Sequence, residues 1–153
     1  MSTNNSINSI AAASYTNIAA VPSTDLTASG MILQLTANEN QAFGDICYVD
    51  SSGEAAIADA SAIATGRVML MCVSTTVSAN NTGDYMLHGI ARQETWAWSA
   101  PGVPIFLTTT GTTTNTCSET APVASGECVT IIGIATHQDR MLFMPNTAVV
   151  ELA

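Results

Sequence analysis

The chain has 153 residues, a net charge of −9 and no lysine; Arg67, Arg92 and Arg140 are its only fixed cations, against twelve carboxylates. Three scattered arginines cannot form the clustered basic surface that tracks a phosphate backbone, nor a basic helix lying on an anionic membrane, so nucleic acid and membrane are excluded as partners. At 47% hydrophobic and 10% charged residues, the composition is not that of a disordered chain, and the length suits one domain with a sizeable core.

A charged fraction so far below the usual value of about 25% leaves a surface of Thr, Ser, Asn and Ala. Such a surface loses little on desolvation. It reads as the surface of a subunit largely covered by an assembly or, more plainly, as a monomeric β-domain with a neutral exterior. The apolar run Val68–Val73 falls far short of the roughly 18 residues that cross a bilayer, and no membrane span is expected. Met1–Ile10 lacks the basic and apolar regions of a secretory signal, so none is expected there.

Residues 1–30 are rich in Asn, Ser, Thr and Ala, and Ile7, Ile10, Tyr15, Ile18 and Val21 make no long amphipathic stripe. Alone, this segment buries too little to offset its ordering entropy. It is expected to be an extended N-terminal arm that docks as a strap on a neighbouring subunit, with those five residues as the partner-binding set. The alternative is a strap folded back on its own domain.

From Met31 onward the pattern is β. Met31–Thr36 and Asp45–Asp50 read as strands, Ser51-Ser52-Gly53 as a tight turn, and Glu54–Ala58 as the returning hairpin partner. The alanine-rich stretch Ala55–Thr65 has room for a helical turn stopped by Gly66. Arg67–Thr76 is expected to be a long strand buried on both faces. Asn80, Asn81 and Gly83 mark Ser78–Gly83 as a loop. Asp84–Ala91, Thr95–Trp98, Val103–Thr108, Cys128–Thr136 and Arg140–Met144 complete the strands, with a short last one at Val149–Leu152. Thr108–Thr116, nearly all threonine, fits an exposed β-hairpin or ribbon. The whole is an all-β domain over residues 31–153, a compact β-barrel or β-sandwich of about ten short strands.

Chemistry-bearing motifs are sparse. Cys47, Cys72, Cys117 and Cys128 form no CxxC pair, which argues against a structural zinc site. Cys117 and Cys128 flank Thr120–Gly126 and could face each other across a hairpin, but four reduced, packed thiols are the favoured reading. His88 and His137 lack a GxSxG elbow or any comparable partner motif, so each is read as a strand or turn histidine. A histidine site with Asp139 or Asp84 has no informative spacing. Asp45, Asp50 and Asp59 do not follow a calcium-loop spacing, and there is no phosphate-cradling glycine motif. No enzymatic activity, metal or cofactor is expected. Met69, Met71, Met86, Met141 and Met144 fall in strands and read as core filler.

Two features are candidates for partner contact. In Glu94-Thr-Trp-Ala-Trp-Ser99 a strand would point both Trp96 and Trp98 to one face, either as a sugar-stacking platform or as packed core or interface. Arg92, in a chain so poor in cations, is a candidate for a bidentate contact between subunits.

Taken in order, several phrases resemble one family. They are Leu35-Thr-Ala-Asn-Glu-Asn-Gln-Ala-Phe-Gly-Asp-Ile-Cys-Tyr-Val-Asp50 running into Ser51–Ala60; Leu87-His-Gly-Ile-Ala-Arg92 with Trp96-Ala-Trp98; Pro104-Ile-Phe-Leu-Thr-Thr-Thr-Gly-Thr-Thr113; Ile132-Gly-Ile-Ala-Thr-His-Gln-Asp-Arg140; and Phe143-Met-Pro-Asn146. Over about residues 31–153 the chain resembles small structural proteins of tailed bacteriophages, namely capsid decoration (cement), head-fibre and tail-fibre proteins. The resemblance implies a β-barrel-like, non-enzymatic virion component. It implies a homo-oligomer, often a trimer, on the capsid exterior, assembled in the host cytoplasm, with the major capsid protein as partner and head stabilisation as its role. A fibre or spike module that binds host surface glycans is the alternative. Exposed indoles at Trp96 and Trp98 would favour the glycan binder and buried ones the cement protein.

Overall fold

The turn at Ser51–Gly53 shows how local sequence sets this architecture. Asp50 Oδ1 accepts from the backbone N–H groups of Ser52 and Glu54 at 2.8 and 3.0 Å, and Gly53 takes a φ of +82° that a side chain would resist. The chain therefore reverses at once, and Cys47–Val49 pairs antiparallel with Ala55–Ile57. The computed structural model describes residues 21–109 and 116–153. Among the described residues there is no helix, and the protein is all-β.

The strands are β1 (Thr27–Thr36), β2 (Gln41–Ala42), β3 (Ile46–Val49), β4 (Ala55–Ile57), β5 (Leu70–Cys72), β6 (Thr76–Val77), β7 (Thr82–Arg92), β8 (Pro104–Leu107), β9 (Cys117–Ser118), β10 (Cys128–Val129), β11 (Ile131–His137), β12 (Arg140–Phe143) and β13 (Val150–Glu151). Eight of them form a curled antiparallel half-barrel in the order β4-β3-β5-β7-β12-β11-β8-β9, and β1 adds to β7 as a ninth. Two short ladders, β2–β6 and β10–β13, complete the pairing.

Strand β7 is the hub. One edge is paired with β1 along Thr27–Thr36, and the other is shared between β5, at Tyr85 and Met86, and β12, at Gly89–Arg92. Successive strand residues face opposite ways. Buried Tyr85 and buried Met86 thus enter two different apolar clusters. The larger contains Phe43, Ile46, Met71, Met86, Trp96, Ile105, Leu107, Ile132, Met141 and Phe143. The smaller contains Ala37, Cys47, Ala55, Leu70, Cys72, Val77 and Tyr85.

Partner pairs Met31–His88 and Ile32–Met86 leave Leu87 as an extra residue on β7. This bulge switches the inward parity, so Ala91 joins Met86 in the larger cluster. The strands touch closely beside it. A Cβ on Gly30 would lie 2.2 Å from the His88 carbonyl oxygen, and one on Gly89 would lie 2.4 Å from that of Ser29. Strand β1 spans both clusters, with Ala28 against the larger and Leu33 and Leu35 against the smaller.

Several sequence expectations need correction. The first strand begins at Thr27, inside the stretch assigned to the arm. Arg67–Thr76 supplies only the three-residue β5 before the chain leaves the sheet, and Met69 is half exposed. Thr95–Trp98 is not a strand: Trp96 N–H bonds to the Gln93 carbonyl and Trp98 N–H to that of Gln138. Cys128–Thr136 divides into β10 and β11, which serve different sheets. Met71, Met86 and Met141 are core filler as expected, whereas Met144, like Met69, is exposed. The helical turn reduces to single bonds from the Thr65 and Gly66 N–H groups to the Ala62 carbonyl. Phe106 pairs with Ser118 and Leu107 with Cys117 on either side of the threonine-rich segment; the hairpin expected there falls on residues 110–115, which lie outside the described residues.

Candidate functional site

The loop from Gln93 to Val103 presents the two indoles. Their ring centroids are 5.4 Å apart and the planes are tilted by 38°. Both belong to the larger cluster and are only 6% and 9% exposed. Beside them lies an open cleft of about 300 Å³, lined by Trp96, Trp98, Cys117, Ser118, Glu119 and Thr120. Glu119 Oε1 accepts from the Ser99 N–H at 2.6 Å and from its hydroxyl at 3.1 Å, tying this loop to the residues after β9. Trp98 Nε1 is buried without a hydrogen-bond partner among the described residues. Sugar stacking needs an open ring face, and these rings spend their faces on the core.

Arg92, at the end of β7, is engaged within its own chain. Its Nη2 lies 2.9 Å from Glu94 Oε1, its Nε lies 2.9 Å from Asp139 Oδ2, and Nη1 donates to the Ser23 carbonyl. Asp139 also contacts His137 Nδ1, and Arg140 Nε lies 3.6 Å from it. Burial acts to raise the Asp139 pKa. The His137 hydrogen bond and the charges of Arg92, His137 and Arg140 outweigh it and hold the carboxyl below its usual range. Among the described residues, neither His137 nor His88 is hydrogen-bonded to a hydroxyl or thiol. The network holds the segment just before β1: Glu94 N–H donates to Asp25 Oδ1 at 2.7 Å while Arg92 holds Ser23. Of the five arm residues, Val21 is exposed, and Ile7, Ile10, Tyr15 and Ile18 lie outside the described residues.

The acidic residues compared with a calcium loop serve separate turns. Asp50 caps Ser51–Gly53, and Asp59 accepts from the Ser61 N–H at 2.7 Å. Asp45 is different. It is 1% exposed, its Oδ2 accepts from the Ala42 N–H at 2.7 Å, and its Oδ1 is buried without a partner. Burial raises its pKa to about 6, opposed by the Ala42 bond and reinforced by the charge of Glu39. All four cysteines are free and buried. Burial pushes the Cys72 and Cys117 thiols up to about 12 and raises those of Cys47 and Cys128, so they stay protonated and act as packing groups. Among the described residues no three His, Cys, Asp or Glu side chains converge to hold a metal ion.

Sequence reasoning missed the outer face of the sheet. Directly opposed strand residues share a face. The registers Ile90–Leu142, Leu142–Ile134 and Ile134–Pro104 therefore lay an apolar row across β7, β12, β11 and β8. Met31, opposite His88 on β1, and Met144 and Ile131 flank this row, and all three are exposed. The signal was present as apolar residues on both faces of each strand, as in Met141-Leu-Phe-Met144 and Pro104-Ile-Phe-Leu107, but only the register brings the outward ones together.

Comparison with protein-family models, curated proteins and solved structures gives no match.

Proposed function

We propose that this protein is a non-enzymatic virion component, a capsid decoration protein that binds the outside of the major capsid lattice as a homo-oligomer and stabilises the head. The observation that carries this reading against a glycan-binding fibre is the burial of Trp96 and Trp98 in the larger cluster. The aromatic feature best suited to stacking on sugars is structural. The family resemblance of residues 31–153 and the lysine-free, sparsely charged surface support the same reading. Many shallow contacts between a sparsely charged surface and a repeated lattice gain strength through multivalency.

The test adds purified full-length protein to expanded capsids that lack it. The expected result is occupancy spread over the whole shell, with DNA retained to higher temperature and through osmotic shock. Binding confined to the tail or a vertex, or saturable binding to host glycans with none to capsids, would overturn the proposal.

A further inference from the structure

We infer that the outer face of the sheet is a docking surface for the chain's own N-terminal segment, residues 1–20. The inference stands apart from the capsid reading and rests on three observations. The first is the face itself. Pro104, Ile134, Leu142 and Ile90 run across it in register, with Met31, Met144 and Ile131 alongside. The residues between them in sequence, Ala91, Met141, Phe143 and Ile105, point inward and are buried. A contiguous apolar patch on a sheet already filled on its inner side marks a surface that something covers.

The second is where the chain enters. Arg92 and Ile90 alternate on β7, so both point to the outer face, and Arg92 holds the Ser23 carbonyl while Asp25 accepts from Glu94 N–H. Residue 20 therefore lies three positions from an anchor at the margin of the apolar row. The row and Met31 together span β1, β7, β12, β11 and β8, a width of about 19 Å at ~4.8 Å per strand. Twenty residues reach at most about 66 Å when extended, so the segment can cross the whole face.

The third is chemical fit. Residues 1–24 carry no charged side chain, so the segment can cover the face without burying an ion, which is the costly step for most surface sequences. Ile7, Ile10, Tyr15 and Ile18 supply the apolar area. A second copy would bring another net charge of −9 to the contact. The tethered segment brings none, and its effective concentration is on the order of millimolar.

The test uses full-length protein. Ile134→Cys is combined in turn with Ile10→Cys, Tyr15→Cys and Ile18→Cys under mild oxidation, and the linked peptides are mapped by mass spectrometry. The expected result is an intrachain bridge in at least one pair; bridges only between chains, or none in any pair, would overturn the inference. As a second measurement, Ile7, Ile10, Tyr15 and Ile18 are all changed to Ser. Binding of an apolar fluorescent dye should then rise severalfold as the face is uncovered. Dye binding equal to that of the parent protein would count equally against the inference.

Discussion

The two apolar clusters on opposite sides of β7 are built from different chemistry. The larger is hydrocarbon and sulfur around a Trp pair, with Phe43, Ile46, Ile105, Leu107, Ile132 and Phe143 fully or nearly buried. The smaller carries a buried polar chain: Tyr85 donates to Gln41 Oε1 at 2.7 Å, Gln41 Nε2 donates to the Ala55 carbonyl at 2.7 Å, and Cys47 lies 3.7 Å from the same Oε1. Between them sits Asp45, whose backbone carbonyl accepts from the Cys72 N–H. A hydrocarbon cluster draws its stability from volume and tolerates approximate shape. A buried polar chain adds little net energy per bond, but each group left unpaired is expensive. The larger cluster should therefore be sensitive to side-chain size and the smaller to single atoms.

The largest expected effect comes from removing volume on the hydrocarbon side. Phe143→Ala should cost about 3–5 kcal/mol, measured by chemical denaturation; a loss no greater than that of an exposed substitution would mean that the cluster is not close-packed. The second effect is a pH dependence at the seam. Asp45 binds its proton with a pKa of about 6 when folded against 3.8 ordinarily, so the folded state holds more protons than the unfolded one between those values. Its contribution is fully present below pH 3.8, falls as pH rises towards 6, and is lost above that. After allowance for solvent screening the change is roughly 2 kcal/mol. Asp50 and Asp139, whose pKa values are lowered, act in the opposite sense. The measurement is thus the difference between parent and Asp45→Asn at pH 4 and pH 7: the variant should gain relative stability at pH 7, and equal pH profiles would remove Asp45 from the account. The smallest effect separates atom from volume. Tyr85→Phe keeps the ring and deletes the donor to Gln41, at a cost of about 1 kcal/mol. No measurable cost would show that the bond to Gln41 does not hold the smaller cluster together.

Much of the fold was legible because its signals are local. The Ser51–Gly53 hairpin followed from turn chemistry, and Asp84–Ala91 and Arg140–Met144 followed as short apolar segments set off by turn signals. Arg67–Thr76 was overextended because an apolar run shows hydrophobicity and not where pairing stops; β5 ends at Cys72, and Val73 N–H still bonds to the Asp84 carbonyl outside the strand. The Trp segment misled for a related reason. Spacing of two suits a strand, yet backbone bonds to Gln93 and Gln138 form a loop that still brings the two indoles together. Asp45 was visible only as one more carboxylate, since its burial depends on residues far apart in sequence: the Cys72 N–H bonds to its carbonyl, and the adjacent Ile46 N–H bonds to Thr116 Oγ1. The outer apolar face was out of reach for the same reason: it exists only once five strands have found their register.

The long pairing of β1 with β7 has a mechanical consequence. The ten register pairs from Thr27 to Thr36 lie side by side along one line. A pull on the residues before Thr27, directed along that line, loads the whole ladder in shear, whereas a pull across it opens the bonds one after another. Tension entering through the N-terminal segment would thus meet the strongest direction of the sheet.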